Sequence, residues 1–130
     1  MKRVIPVENK AVIYAKYSSD RQTEQSIEGQ FRVCHEFAEK NDIVIIDEYI
    51  DRALSGTTDK RPAFQKMISD SSSQHFEYVI VYKLDRFARN RFDSAIYKSK
   101  LKQNGVRVLS AMEGITDTPE ALLWKVLSKR

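Results

Sequence analysis

The chain has 130 residues, which is the size of one domain. Its 42% hydrophobic content is enough for a packed core, so we do not expect a disordered chain. Its net charge of +4 is modest and only hints at an anionic partner. The single cysteine, Cys34, cannot form an internal disulfide, which fits a reducing compartment such as the cytoplasm. We also expect no metal site, signal peptide or membrane span.

The apolar residues of the first half predict two strands around one helix. Residues 1–10 are expected to be a flexible lead-in, followed by a first strand over Ala11–Tyr17. Apolar positions spaced by three and four residues predict a helix from about Glu24 to Lys40, ended by Asn41-Asp42. A second strand is predicted over Ile43–Ile50.

The alternation continues in the second half. A polar loop over 52–60 precedes a helix that begins at Pro62, because proline suits the first turn of a helix. The nearly unbroken apolar run Tyr78–Leu84 predicts a strand covered on both faces, in the centre of a parallel sheet. A basic helix over Arg91–Asn104 is expected to end at Gly105, which readily adopts the left-handed conformation.

A fourth strand over Val106–Met112 and a last helix, capped by Thr118 and beginning at Pro119, complete the pattern. The order predicts a three-layer α/β domain with a mainly parallel central sheet of about four to five strands. The last helix, expected to be truncated at Arg130, is predicted to be an interface helix. Its apolar stripe consists of Leu122, Leu123, Val126 and Leu127.

Polar groups follow the predicted strands, at the positions where open α/β sheets place their ligand-binding groups. They form five segments: Tyr14–Ser19, Gln25–Gln30, Asp51–Pro62, Lys83–Arg89 and Thr118–Glu120. A serine hydroxyl is a nucleophile once it is activated, and clustered guanidinium groups bind phosphate oxygens bidentately. The segments together therefore predict a site that attacks a phosphate.

Taken in order, the five segments resemble the catalytic domain of the serine recombinases, the family of resolvases, invertases and large serine integrases and transposases. The resemblance runs from about Ala11 to about Trp124 and is closest to the large branch, through Ser18–Gln22 and Arg61–Phe64. It implies a resolvase-like catalytic domain over 11–130, with the DNA-binding regions absent from this chain. It also implies cleavage and rejoining of double-stranded DNA without a cofactor or metal, by a dimer that becomes a tetramer in the synaptic complex.

The same resemblance implies the nucleophile. The family pattern Tyr-Ala-Arg-x-Ser corresponds here to Tyr14–Ser18, which selects Ser18 over Ser19. By resemblance, Ser18 attacks a DNA phosphodiester, forms a 5′-phosphoserine link and releases a 3′-hydroxyl. Lys16 stands where the family has arginine, so it keeps the positive charge but lacks the bidentate fork.

The remaining site residues implied by the resemblance are charged or amide side chains. They are Gln30, Asp51, Arg61, Asp85, Arg86 and Arg89. The three arginines would clamp the phosphate, while Asp85 would orient Arg86, carry a proton near the serine or cap a helix. From the sequence alone, Gln30 is equally well a solvated helix residue and Asp51 a turn residue.

Two other functions stay open at this point. A doubly wound nucleotide or phosphate hydrolase normally needs a glycine-rich phosphate loop, and the chain has only 4 glycines. A non-catalytic oligomerising or regulatory α/β module is favoured by Lys16 and by the end of the chain. Cys34 and His35 are adjacent on a helix and should point apart, so we expect no catalytic or metal-binding pair there.

Overall fold

A parallel four-stranded sheet forms the centre of the domain. The computed structural model of the chain describes residues 9–17, 26–52, 61–73, 76–84, 87 and 91–114. The strands are β1 (Asn9–Tyr17), β2 (Ile43–Arg52), β3 (Tyr78–Val81) and β4 (Arg107–Ser110), and the helices are α1 (Ile27–Lys40), α2 (Pro62–Asp70) and α3 (Arg91–Gln103). The sheet order is β2-β1-β3-β4, and every neighbouring pair is parallel.

The helices cover both faces of this sheet. On one face, Cys34 and Ala38 of α1 pack against Ile13 of β1. On the other face, Phe64 of α2 and Leu101 of α3 belong to a second apolar cluster. The predicted three-layer α/β architecture is therefore confirmed, with α1 on one side of the sheet and α2 and α3 on the other.

The two central strands are the most deeply buried part of the chain. Residues 11–15 of β1 and 79–81 of β3 are at most 1% exposed. The prediction that the third strand is central is confirmed, although β3 ends at Val81 rather than Leu84. Beyond Val81 the chain leaves the sheet, and the Phe87 N–H donates to the Leu84 carbonyl at 2.9 Å in a turn.

Strand pairing explains two further differences from the predicted bounds. β1 begins at Asn9, inside the segment expected to be a lead-in, because residues 9 and 10 pair with β2. β2 extends to Arg52, two residues beyond the predicted end, because its last residues pair with the end of β1. β4 is shorter than predicted and ends at Ser110, which forms an isolated bridge with Gly114.

The helix ends follow local capping chemistry. α1 begins three residues later than predicted, at Ile27, and the Ser26 hydroxyl caps it by accepting from the Gly29 N–H at 3.1 Å. Gly105 after α3 has φ +80°, as its predicted role requires. None of the three described helices has the length and apolar character needed to cross a bilayer. The predicted last helix and the loop at 53–60 lie outside the described residues.

Candidate active site

The predicted site residues that the structure describes lie where the direction of the sheet's connections reverses. The chain passes from β1 outward to β2 on one side, and from β3 outward to β4 on the other. The carboxyl ends of β1 and β3 therefore form the crevice in which open α/β sheets bind ligands. Of the predicted set, the structure describes Lys16, Gln30, Asp51 and Arg61, and all four belong to this region. Ser18, Asp85, Arg86 and Arg89 lie outside the described residues.

A bulge in β2 puts Asp51 on the correct face of the sheet. Ala11 pairs with Ile45 but Val12 pairs with Asp47, so Ile46 is an extra residue on β2. Beyond this bulge Lys16 is opposite Asp51. Because a shift of one residue exchanges the two faces of a strand, Asp51 would otherwise point towards α1. The bulge turns it towards α2 instead.

Asp51 is a buried carboxylate that holds the first turn of α2. Its oxygens accept from the N–H groups of Ala63 and Phe64, at 2.9 and 3.0 Å, and from the Tyr14 hydroxyl at 2.8 Å. The first N–H groups of a helix need such acceptors, and Arg61 at the N-cap provides none from its own side chain. Asp51 therefore caps α2 from a neighbouring strand, a larger role than closing a turn.

Arg61 lies between α2 and the segment that follows β3. Its side chain is buried, with 9% of the residue exposed, and Nη1 donates to the Phe87 carbonyl at 2.7 Å. Its Cζ atom lies 3.8 Å from the centre of the Phe64 ring, in a cation–π contact. The carbonyl that Arg61 binds belongs to Phe87, which directly follows Arg86 in the sequence.

Arg61 forms no ion pair with a carboxylate in the described part of the chain, although the buried Asp51 carboxylate is near enough to act, like Arg61, on the Tyr14 hydroxyl. The contacts of His35 with Glu48 and of Lys66 with Asp70 are both away from this site. Burying a guanidinium is costly, since a carbonyl and aromatic rings only partly replace its hydration. It also has five N–H donors, of which the Phe87 carbonyl takes one. An anion at this edge would compensate the charge.

Tyr14 joins these groups from the central strand. Burial is the main reason that the pKa of its hydroxyl lies far above the usual value. The positive charge of Arg61 lowers this pKa, and the Asp51 carboxylate raises it further. The hydroxyl is therefore neutral and remains a hydrogen-bond donor to Asp51 at any physiological pH. The Tyr14 ring also contacts Phe64 edge-on, with 5.2 Å between the ring centres.

Gln30 of α1 is completely buried, so it is not the solvated helix residue that the sequence also allowed. Its Oε1 atom accepts from the Lys16 N–H at 3.3 Å, and its Nε2 atom donates to the Lys16 carbonyl at 3.0 Å. The pairing of β1 with β3 ends at Tyr14, so the amide continues the ladder of hydrogen bonds where β3 has stopped. Gln30 thus fixes the backbone two residues before Ser18.

Two residues of the site were not predicted as functional. In the sequence, Tyr14 and Phe87 are only members of the segments Tyr14–Ser19 and Lys83–Arg89. Phe87 is completely buried and contacts Phe64 edge-on, so it anchors this segment to the core. The available signal was a single aromatic residue within a run of polar ones, which favours an anchor.

The histidine and cysteine of α1 do not form a site. The Cys34 side chain is buried against β1, and burial raises its thiol pKa to about 12, so it is protonated and unreactive at neutral pH. His35 points away from it and contacts Glu48 of β2 at 2.8 Å. The prediction that these two neighbours point apart is confirmed.

Comparison with protein families decides the classification. Residues 11–128 match the family described as the resolvase N-terminal domain. The chain belongs to the resolvase family. The resemblance drawn from the five segments is thereby confirmed, and membership assigns the chain to site-specific recombination. A search of curated proteins found no match.

Solved structures agree with membership of the resolvase family. The chain is 32% identical to the N-terminal catalytic domain of TP901-1 integrase, with a TM-score of 0.73 and 92% of both chains covered. It is 31% identical to a resolvase family site-specific recombinase from Streptococcus pneumoniae, with a TM-score of 0.74, covering 92% of this chain and 83% of the other. The fold is also shared with the C-terminal catalytic domain of ISC1926 TnpA, an IS607-like serine recombinase, at 24% identity and a TM-score of 0.66, with 92% of this chain and 78% of the other covered.

Proposed function

We propose that the chain cleaves and rejoins double-stranded DNA through a covalent link to Ser18. The Ser18 hydroxyl attacks a phosphodiester, an Oγ–P bond forms, and the bond from phosphorus to the 3′ oxygen breaks. The serine proton leaves with a general base, and the departing oxygen takes up a proton to become a 3′-hydroxyl. After strand exchange a 3′-hydroxyl attacks the phosphoserine and reverses the sequence, so no nucleotide is consumed.

The observation that carries this proposal is the buried positive charge of Arg61, at the edge of the sheet where its connections reverse direction. It lies beside the carboxyl ends of the strands that lead to Ser18 and to Arg86, and it forms no ion pair with a described carboxylate. A phosphodiester is an anion whose charge grows in the transition state, and guanidinium groups held in advance at that place lower the barrier. We assign the same function to Arg86 and Arg89, on either side of the anchored Phe87.

Lys16 and Gln30 act on the end of β1, the part of the chain that leads to Ser18. Lys16 is opposite Asp51 on the α2 face of the sheet and adds a further positive charge there. Gln30 holds the Lys16 backbone and so sets the direction in which the chain continues towards Ser18. We propose that Asp85 orients Arg86 or passes a proton near the serine.

The assembly that recombines DNA is proposed to be a homo-oligomer, a dimer that forms a tetramer when two DNA sites are held together. The stripe Leu122–Leu127 would supply subunit contact, and regions beyond this chain would recognise the DNA sequence. Two DNA sites must be aligned for their strands to be exchanged, so a symmetric assembly suits the reaction.

The experiment is to trap the covalent adduct. The full-length protein is incubated with nicked duplexes that tile the DNA flanking its gene, denatured, and separated by gel electrophoresis. We expect an adduct with the unmodified protein and with Ser19→Ala in reduced amount, and none with Ser18→Ala. An adduct lost in Ser19→Ala and kept in Ser18→Ala would reject the assignment, and no adduct with any duplex would reject the proposed function.

A further inference from the structure

We infer that the Glu113 carboxylate is a positioning group for DNA cleavage: it fixes the backbone of Leu84 and so sets where the chain presents Arg86. This inference rests on the proposed function, because it concerns how one arginine of the same site is held. Glu113 touches no reacting atom in this scheme and acts through the backbone of Leu84.

The segment that follows β3 is held by the segment that follows β4. Between their backbones, the Met112 N–H donates to the Tyr82 carbonyl at 3.1 Å. At Leu84 a side chain takes over from the backbone, and the Leu84 N–H donates to Oε1 of Glu113 at 3.0 Å. The carboxylate therefore holds the chain two residues before Arg86.

Ser110, the last residue of β4, fixes Glu113 in turn. Ser110 is completely buried, and its hydroxyl donates to Oε1 of Glu113 at 2.5 Å and accepts from the Glu113 N–H at 3.3 Å. Gly114, with φ +77°, forms an antiparallel bridge back to Ser110, which closes the turn. Although Glu113 is exposed, its carboxylate is thus held in place, and binding Leu84 costs it little further conformational entropy.

Leu84 also connects this turn to the phosphate-binding side of the site. Its carbonyl accepts from the Phe87 N–H at 2.9 Å, and the Phe87 carbonyl accepts from Arg61 at 2.7 Å. The stretch between Leu84 and Phe87, which contains Arg86, is therefore held at both ends. Loss of the Glu113 contact would release one end, and an error of about 1 Å at a catalytic group is enough to slow a reaction about a hundredfold.

The other central strand is held by the same kind of contact. The Gln30 side chain binds the backbone at the end of β1, two residues before Ser18. Glu113 binds the backbone beyond the end of β3, two residues before Arg86. The nucleophile and the arginine thus follow two neighbouring strands, and one polar side chain fixes the backbone after each.

The test compares Glu113→Ala with Glu48→Ala in the full-length protein. Both changes remove one exposed carboxylate and one negative charge, but Glu48 contacts His35 of α1 instead. With the nicked duplex that gives the most adduct, the rate of adduct formation at saturating DNA and the affinity for DNA are measured below the melting temperature of each variant. Glu113→Ala is expected to lower the rate about tenfold with affinity changed by less than about threefold, and Glu48→Ala to change either by less than about threefold.

Glu113→Gln separates the hydrogen bond from the charge. The amide keeps an oxygen that accepts from Leu84 and from Ser110, so this variant should retain the rate within about threefold. A loss as large as that of Glu113→Ala would show that the negative charge matters rather than the contact, and would contradict the inference.

Hydrogen–deuterium exchange tests the first step of the argument. Mass spectrometry of the peptides that span Leu84 should show faster exchange in Glu113→Ala than in the unmodified protein, and nearly unchanged exchange in Glu113→Gln. Unchanged exchange in Glu113→Ala would mean that the carboxylate does not hold this backbone, which would overturn the inference.

The outcomes distinguish this inference from the function on which it rests. If the unmodified protein forms no adduct with any duplex, the proposed function fails and the inference falls with it. If the unmodified protein forms the adduct and Glu113→Ala forms it at the full rate, only the inference is overturned. Equal losses of rate in Glu113→Ala and Glu48→Ala would also overturn only the inference.

Discussion

Lys16 is the residue at which this chain departs from the family pattern, which has arginine there. It lies opposite Asp51 at the end of β1, on the face that carries Tyr14 and Arg61. A lysine there provides a compact charge but no planar fork for two phosphate oxygens.

We therefore expect Lys16→Arg to raise the rate of DNA cleavage, or at least not to lower it, because a guanidinium binds phosphate bidentately. Lys16→Gln, which removes the charge, serves as the control and should lower the rate. Both are measured as adduct formation on one nicked duplex. A large loss with arginine would show that the lysine has a role of its own, such as accepting a proton.

At single residues, the sequence alone did not show what the candidate site residues contact. Gln30 and Asp51 are in the expected region, but the sequence alone could not choose between their buried and solvated roles. The choice depends on contacts with distant residues, such as the backbone of Lys16, that no local pattern encodes. The Tyr14 hydroxyl was missed for the same reason, since its acceptor is 37 residues further along the chain.

The first turn of α2 is the element through which the site depends on the fold. It has no cap from its own N-cap residue, and the buried Asp51 carboxylate substitutes for one. Loss of this carboxylate leaves two helix N–H groups and one tyrosine hydroxyl without an acceptor.

Asp51→Ala is accordingly expected to lower the free energy of unfolding by about 2–4 kcal/mol. Urea denaturation followed by circular dichroism measures it. The control is Asp70→Ala at the other end of α2, which removes the acceptor of the Tyr49 hydroxyl and an ion pair with the exposed Lys66 but leaves no N–H group of the first turn without an acceptor, so a smaller loss is expected. Equal losses in the two variants would contradict the capping role of Asp51.

The bulge in β2 is the feature of an element that the sequence could not show. Ile43 and Ile45 face α1, while Tyr49 and Asp51 beyond the bulge face α2. A continuous apolar stretch such as Ile43–Ile46 gives no sign of where an extra residue is inserted. By contrast, the predicted order of strands and helices is confirmed as far as β4, because each of these helices has an apolar face and each strand a separate apolar run.

For the molecule as a whole, three tyrosines that are wholly or partly buried determine how stability changes at high pH. Burial raises the pKa values of Tyr14, Tyr49 and Tyr78 above the usual value, with hydrogen bonds to Asp51 and Asp70 adding to the first two. The unfolded chain releases these protons at about pH 10, while the folded chain holds them more tightly. The unfolded state then binds fewer protons, so stability must fall as the pH rises.

We expect the free energy of unfolding to decline once the pH exceeds about 10, because these tyrosines ionise more readily in the unfolded chain than in the folded one. Urea denaturation at a series of pH values measures the decline. Tyr14→Phe removes one of the groups and should make the decline shallower. A stability that does not change between about pH 9 and 11 would contradict the burial of these hydroxyls.

The charge of the whole chain predicts how it meets DNA. Base recognition needs a helix, ribbon or arm in a groove, and the four-stranded sheet with three packed helices offers no such projecting element among the described residues. What remains is attraction between phosphates and a net charge of +4.

The 130-residue chain alone is thus expected to bind DNA weakly, without sequence preference, and with an affinity that falls steeply as salt increases. Titration with the best adduct-forming duplex and with a scrambled duplex of the same length, at low and raised salt, tests this. Tight binding that distinguishes the two duplexes and survives salt would mean that this domain itself recognises the sequence.

The measurement that bears most directly on the proposed chemistry is to locate the nucleotide on the trapped protein. Trypsin cuts after Lys16 and Arg21, so both candidate serines fall in one short peptide, Tyr17–Arg21. After nuclease digestion of the DNA, tandem mass spectrometry of this peptide should show a nucleotide joined through its 5′-phosphate to Ser18, with a free 3′-hydroxyl on the other cleaved end. A nucleotide on Ser19, on any other peptide, or joined through its 3′-phosphate would contradict the proposed reaction.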